Sequence, residues 1–351
     1  MAVKFTKPEI NVREKLAELD KPSGIAGEAM LRAETPQEQQ ALIGISGRRN
    51  FIMNGRGFID QRGKSGASLG AGEFGLDRWS NSTAGTTMTQ LSGGGFRGAR
   101  TSANTWSRLS HRVEDCYNAI GTNELTISFD IKWNTHSGNG NSMVYLRWLQ
   151  DNGTETGTAT DLDISKTGLS GKEKFTKTFT MPSDATNPKH LMILFYGARS
   201  TGSAWDFELD NIQLELGKVA TPFEHRSFGE ELALCQRYCY VIGHPSQVIY
   251  LGTGSMYTTT AVNLSVPLPV QLRTTSPSFT RVANSTGNWL NVYVGATGTV
   301  SNAAPLQGDY TQSNLRIYIP GAHSGSSPSA AGAGVWSMVL AGAQLIISSE
   351  L

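Results

Sequence analysis

Apolar and polar residues alternate with a period of two over many short stretches of this chain. Leu125, Ile127, Phe129 and Ile131 recur with polar residues between them, the pattern of a strand with one buried face. Met143–Leu149, Phe175–Met181, Leu191–Tyr196 and Phe207–Leu216 predict further strands of one β region. Within Met143–Leu149, Val144, Leu146 and Trp148 share a face, so Trp148 is expected in the core. Ile212, Leu214 and Leu216 alternate with Gln213 and Glu215. Pro222 cannot extend a central ladder and stops that strand or bends it away. Val248–Leu251, Ala261–Val266, Trp289–Val294, Leu315–Ile319 and Val335–Ile347 predict a second β region, in which Pro267, Pro269 and Pro277 limit the strands.

A helical period appears in three places. Thr6 and Glu9 have capping-box spacing, Pro8 sits in the first turn, and Val12, Leu16 and Leu19 follow at i, i+4 and i+7. Thr35, Pro36 and Glu38 start a second short helix that Gly44 ends. Helices this short are marginal in water alone, so both need a partner surface. Ser227 with Glu230 starts a third, over Glu230–Tyr238, where Leu232, Cys235 and Cys239 form an apolar stripe. The expected partners of that stripe are copies of the same helix, arranged as a homotrimer. The chain therefore reads as mainly β: a helical segment (1–50), a β-sandwich (51–226), a short linking helix (227–242) and a C-terminal β-rich domain (243–351).

Composition fits that picture. The 351 residues contain 39 glycines, and charged residues make up only 17%, which suits an all-β chain with many tight turns. Thirty Lys and Arg against 29 Asp and Glu leave no global field for nucleic acid or an anionic membrane. MAVKFTKPEI has no apolar core of a signal peptide, and no stretch reaches a membrane span. Three cysteines, Cys116, Cys235 and Cys239, are an odd number that suits synthesis in a reducing cytosol.

Candidate chemistry is thin. Gly57–Ser65 (GFIDQRGKS) has five residues between its glycines where a phosphate-binding loop has four, and no βα unit surrounds it. Cys235 and Cys239 are read as buried structural thiols, since no His stands beside them in sequence. The six histidines show no metal-ligand spacing, and neither metal nor cofactor is expected. Asp161, Asp163, Glu208 and Asp210 could serve a glycosidase only as any acids could, and no convergent constellation makes the chain an enzyme. Aromatics remain: Trp106, Tyr145 and Trp205 are the candidate glycan contacts, weighed against ordinary burial in a sandwich core.

The run Asp210–Tyr238, DNIQLELGKVATPFEHRSFGEELALCQRY, resembles a segment of fibre and spike proteins of tailed bacteriophages, especially marine and cyanobacterial ones. It departs from them at Cys239, where the family usually has an aromatic residue. KFTKPEINVREKLAELD near the N-terminus, and Arg49–Gly55 with Asp77-Arg78-Trp79, resemble the openings of the same proteins. Phe207–Ile212 resembles the last strand of jelly-roll carbohydrate-binding modules. The resemblance implies a jelly roll over 51–226 and a tip domain over 243–351. It also implies a virion-docking segment in which Phe5, Ile10, Val12, Leu16 and Leu19 meet other virion proteins, a tail adaptor or nozzle or the capsid. The implied role is a structural virion protein, made in the host cytoplasm, that adheres to host-surface glycan. A head decoration protein and a polysaccharide-degrading tail spike are the alternatives. Host recognition is expected in the tip, in loops around Gly295–Ala304 and Gly321–Gly334.

Overall fold

The computed structural model describes residues 49–101, 107–121, 124–136, 143–163, 171–198, 204–294, 297–311, 314–323 and 333–350. The docking helices, with Phe5, Ile10, Val12, Leu16 and Leu19, lie outside the described residues, as does Trp106.

Eleven strands and one helical turn build the first domain. In chain order they are β1 (Ser68–Leu69), β2 (Trp79–Asn81), β3 (Thr86–Gln90), β4 (Phe96–Arg100), β5 (Ser107–Val113), α1 (Tyr117–Ile120) and β6 (Glu124–His136). After these come β7 (Met143–Leu149), β8 (Glu155–Asp163), β9 (Glu173–Thr180), β10 (His190–Ala198) and β11 (Trp205–Leu216). They pair antiparallel in a six-stranded sheet, β1-β3-β4-β11-β6-β9, and a five-stranded sheet, β2-β5-β10-β7-β8. Strands β4 to β11 thus divide into β4-β11-β6-β9 and β5-β10-β7-β8, which is jelly-roll connectivity. The period-2 residues do what their spacing requires. Leu125, Ile127, Phe129 and Ile131 of β6 face Leu191, Ile193 and Phe195 of β10 in one core, where Phe129 meets Phe195 edge-on at 5.2 Å. Trp148 is in that core as expected, its indole N–H donating to Pro182 O.

α2 (Phe228–Gln236) leads into the second domain, and Ser227 and Glu230 close the expected capping box on it. The tip comprises β12 (Cys239–Gly243), β13 (Ile249–Met256), β14 (Val262–Pro267), β15 (Ser278–Val282), β16 (Leu290–Val294) and β17 (Thr297–Ser301). It ends with β18 (Leu306–Thr311), β19 (Asn314–Ile319), β20 (Gly334–Val339) and β21 (Gln344–Ser348). A three-stranded sheet, β12-β21-β15, packs on a seven-stranded one, β17-β16-β20-β13-β14-β19-β18, over a core that includes Ile242, Leu264, Trp289, Val292 and Ile347.

Several expectations change. Val335–Ile347 is two strands in different sheets, because the turn at Gly342 (φ 76°) breaks the run. Gly295–Ala304 is not a loop throughout, since β17 occupies its middle. The linking helix ends at Gln236, and Cys239 begins β12. Cys235 and Cys239 are fully buried within their own chain as free thiols, so they offer no surface to another copy. Only Leu232 of the expected stripe is partly accessible.

The reason those thiols are covered is a buried polar junction between the domains. Arg78 bonds the Glu350 carboxylate and the Arg112 carbonyl, and its guanidinium lies 3.5 Å over the Tyr238 ring. Arg62 pairs with Glu350 at 3.2 Å, and Gln61 donates both to Asp77 and to the Cys239 carbonyl. Tyr238 OH donates to Glu114 at 2.6 Å, and Arg237 pairs with the same carboxylate. Glu231 accepts from Asn54 N, and Arg226 bonds the carbonyls of Asn50 and Ile52. Asn54 itself ties Ile59 to Asp77, and its carbonyl accepts from the Trp79 indole. The segments around Asn54, Gln61-Arg62, Asp77-Arg78-Trp79 and Glu231–Tyr238, far apart in sequence, meet here.

Candidate functional site

The P-loop-like segment is used locally. Asp60 accepts from the amides of Lys64 (2.9 Å) and Ser65 (2.8 Å), taking the place an anion would need. Glu208 and Asp210 stand on the outer face of the six-stranded sheet, already paired. Lys132 binds Glu208 at 3.0 Å, Arg56 (3.0 Å) and Lys172 (2.6 Å) bind Asp210, and Arg97 grips Asp206 with two nitrogens. Burial acts to raise these three carboxyls, but the hydrogen bonds and cations outweigh it and hold them below the usual range. Asp77 behaves oppositely. Burial pushes its carboxyl up to about 6 against the opposing pull of Arg62 and Gln61. Asp161 and Asp163 enter β8 opposite Tyr145 and Met143.

Of the expected glycan contacts, Trp205 is corrected. It is 1% exposed and stacks on Phe207 at 4.8 Å inside the core. Gly197 makes the room, since a Cβ there would stand 2.1 Å from the indole. Tyr145 does lie on the outer face of the five-stranded sheet, edge-on to Tyr196 at 4.9 Å. There Glu155 joins Arg147 (2.6 Å) and Arg108 (3.4 Å), and Arg108 donates to Tyr196 OH. Met192, Leu194 and Leu149 beneath them are buried although they face outward. By register Met192 stands between Arg112 and Arg147, whose stems can lie over it.

The most open aromatic surface is in the tip, where none was singled out from sequence. On the outer face of the seven-stranded sheet, Tyr293 of β16 is directly opposite Trp336 of β20. Their rings stack face to face, with centroids 4.0 Å apart and planes 6° from parallel. Trp336 remains 38% exposed and Tyr250, on neighbouring β13, is 55% exposed. Opposite Tyr293 on β17 is Gly298, where a Cβ would come within 2.7 Å of the phenol ring. The absent side chain lets Tyr293 lie flat. Asn291 donates to Tyr293 OH at 2.9 Å, while its own Oδ1 is buried without a hydrogen-bond partner. The exposed Trp336 ring beside the Tyr293 hydroxyl suits a ligand with C–H faces and O–H edges. The alternation of Asn291, Tyr293 and of Trp336, Met338 with Val292, Val294 and Val335, Val339 was the available signal.

No protein-family model matches the chain, and no curated protein matches it. Among solved structures it is similar to the enzymatically active domain of bacteriophage CBA120 tailspike protein 4, at 14% identity and a TM-score of 0.32, over 48% of this chain and 21% of that one. The chain thus spans about a fifth of that tailspike chain. It is also similar to a CBM4 structure, at 18% identity and a TM-score of 0.30, over 47% of this chain and 99% of that one. A third likeness is to the C-terminal family 22 carbohydrate-binding module of Clostridium thermocellum Xyn10B, at 11% identity and a TM-score of 0.31, over 46% and 98%.

Proposed function

We propose that this chain is a structural subunit of a tailed-phage virion, a fibre or spike, whose tip domain adheres to host-surface glycan. The observation that carries the adhesive part is the stacked Tyr293–Trp336 pair, with Trp336 exposed on the outer sheet face beside the Tyr293 hydroxyl. The virion assignment is supported by the resemblance of the segments around Asn54, Asp77-Arg78-Trp79 and Asp210–Tyr238 to phage fibre proteins. These are the segments that brace the tip on the jelly roll, so a shared junction explains why they resemble one another.

The work proposed is binding, not bond-breaking. A glycosidase needs one carboxyl held protonated and facing a second across the sugar. Asp77 has the raised pKa but is 1% exposed beneath Gln61 and Arg62. Asp206 and Asp210 are buried and Glu208 half-buried, and all three are ion-paired and ionised. Weak contacts gain avidity when several copies are displayed, and a trimer is the expected form. Its interface must be sought away from Cys235 and Cys239.

The test is a glycan array of bacterial surface oligosaccharides probed with the full chain and with Trp336→Ala. Binding by the full chain and its loss in the variant are expected, without release of reducing ends. Undiminished binding by Trp336→Ala overturns the tip assignment, and released reducing ends favour a tail spike. Immuno-electron microscopy of purified virions tests the fibre assignment, since an even label over the head favours a decoration protein. Light scattering supplies the mass, and a trimer that Trp336→Ala dissociates would mean this face joins copies instead of binding glycan.

A further inference from the structure

A second surface, on the jelly roll, has the chemistry of a sugar pocket. A half-open cavity of about 740 Å³ lies between α1, the turn joining β7 to β8, and the loop at 187–189. That volume falls in the range of small-molecule sites. Its apolar wall is Tyr117, 37% exposed, whose other neighbour is Trp148 in T-shaped contact at 5.1 Å. Its polar lining is made of amides, carboxylates and one ammonium: Gln150, Asn152, Asn187, Asp115, Asp151 and Lys189. Backbone bonds hold these walls in place: Tyr117 N donates to Lys189 O (3.2 Å), and Lys189 N donates to Leu149 O (2.8 Å).

One buried imidazole stands behind this lining. His190 is 1% exposed, and its Nδ1 accepts from the Asp115 amide at 2.9 Å. Burial lowers its pKa, so the ring is neutral and the accepting Nδ1 puts the proton on Nε2. Nε2 has no hydrogen-bond partner and stands 3.6 Å from Asp151 Oδ1, which lines the cavity. The imidazole thus backs the Asp151 carboxylate in the cavity wall.

We propose that this cavity binds a neutral pyranose, with a C–H face on Tyr117 and neighbouring hydroxyls shared among Asp151, Lys189 and the amides. Charge selects the neutral class. The Lys189 ammonium is already engaged by Asp151 (2.6 Å) and Asp115 (3.5 Å), so an acidic sugar would meet two carboxylates with one spent cation. The site is independent of the tip surface, and its fate is read with different residues.

Saturation-transfer NMR on the full chain, with glucose, galactose, mannose, xylose and glucuronate as separate probes, decides the matter. At least one neutral sugar is expected to receive saturation, and glucuronate none. Tyr117→Ala should weaken that binding at least tenfold and Tyr117→Phe should retain it, while Trp336→Ala leaves it unchanged. Asp151→Ala, at a carboxylate 74% exposed, gives a second loss should Tyr117→Ala disturb the fold. The proposal is overturned if no neutral sugar binds, if glucuronate binds best, or if binding survives both losses.

Discussion

The two β domains close their outer faces in opposite ways. The jelly roll covers its sheets with paired charges: Arg97 with Asp206, Lys132 with Glu208 and Lys172 with Asp210 on one, Arg108 and Arg147 with Glu155 on the other. Residues 244–351 hold five charged residues, Arg273, Arg281, Asp309, Arg316 and Glu350, and Glu350 belongs to the junction. Arg273 bonds the Ser349 carbonyl and Arg281 the Asn302 amide oxygen, and the open sheet face carries Tyr250, Tyr293 and Trp336. Ion-paired groups have already exchanged water for partners, so a ligand gains little by meeting them. Exposed rings still hold their hydration cost in reserve, and covering them is favourable. On the proposed reading, the difference puts stacking adhesion in the tip and leaves the jelly roll the recessed Tyr117 cavity.

The largest expected effect breaks the connection between the two regions. Arg78→Ala removes a buried guanidinium and one of the two cations on Glu350, and losing one partner of a buried pair costs about 3–5 kcal/mol. Chemical denaturation should then show the tip and the jelly roll unfolding in separate transitions where the parent chain shows one. A single transition at an unchanged midpoint would mean that the domains cohere without Arg78.

The next effect separates junction from surface by pH. The Asp77 carboxyl is raised, to about 6, so its stabilising proton is fully held below the ordinary value of 3.8. Its contribution is lost as pH rises through about 6. Asp206, Glu208 and Asp210 are lowered, so their contribution is present above the usual carboxylate range and lost as pH falls below it. Stability should therefore peak between the two. Asp77→Asn should flatten the alkaline fall, worth on the order of 2–3 kcal/mol, and leave the acid fall intact. Urea midpoints from pH 3 to 8 check both limbs.

Trp336→Ala sharpens the comparison at the tip. A central aromatic of a binding surface typically carries enough energy for a loss of tenfold or more in affinity. Its stability cost should stay near 1 kcal/mol, because the ring is partly exposed and rests on one neighbour. Affinity measured beside a thermal melt tests both halves of the claim.

How far these features were legible in the sequence follows from the range of the interactions. β6, β7, β10, β11 and the Ser227–Glu230 cap were readable because two-residue alternation and a three-residue cap are local. β2, β4, β12 and β15 were not, being short and dependent on neighbours from distant sequence. Trp205 was misread because its partner space at Gly197 and Gly98 comes from other strands. Cys235 and Cys239 were expected at an interface between copies, but the surface they meet belongs to the same chain. The Tyr293–Trp336 pair joins strands more than forty residues apart, and only sheet register brings the rings together.

Small effects distinguish the surfaces as well. Lys132→Ala removes an exposed pair with Glu208, and such pairs are worth about 0–1 kcal/mol, so its melting temperature should barely move. Salt carries the same contrast into binding. Added electrolyte screens exposed charges over about 10 Å at 0.1 M. The acidic and basic pairs of the jelly roll fall within its reach, but the Tyr293–Trp336 contact joins two uncharged rings. Adhesion through that face should keep its affinity within about twofold between 50 and 500 mM sodium chloride, because ring burial depends on water and not on charge. Biolayer interferometry against the best array glycan measures this directly. A steep fall with salt would mean that charged groups, with Arg316 on the same tip sheet the first to replace, hold the ligand, and the comparison drawn here would fail at its central point.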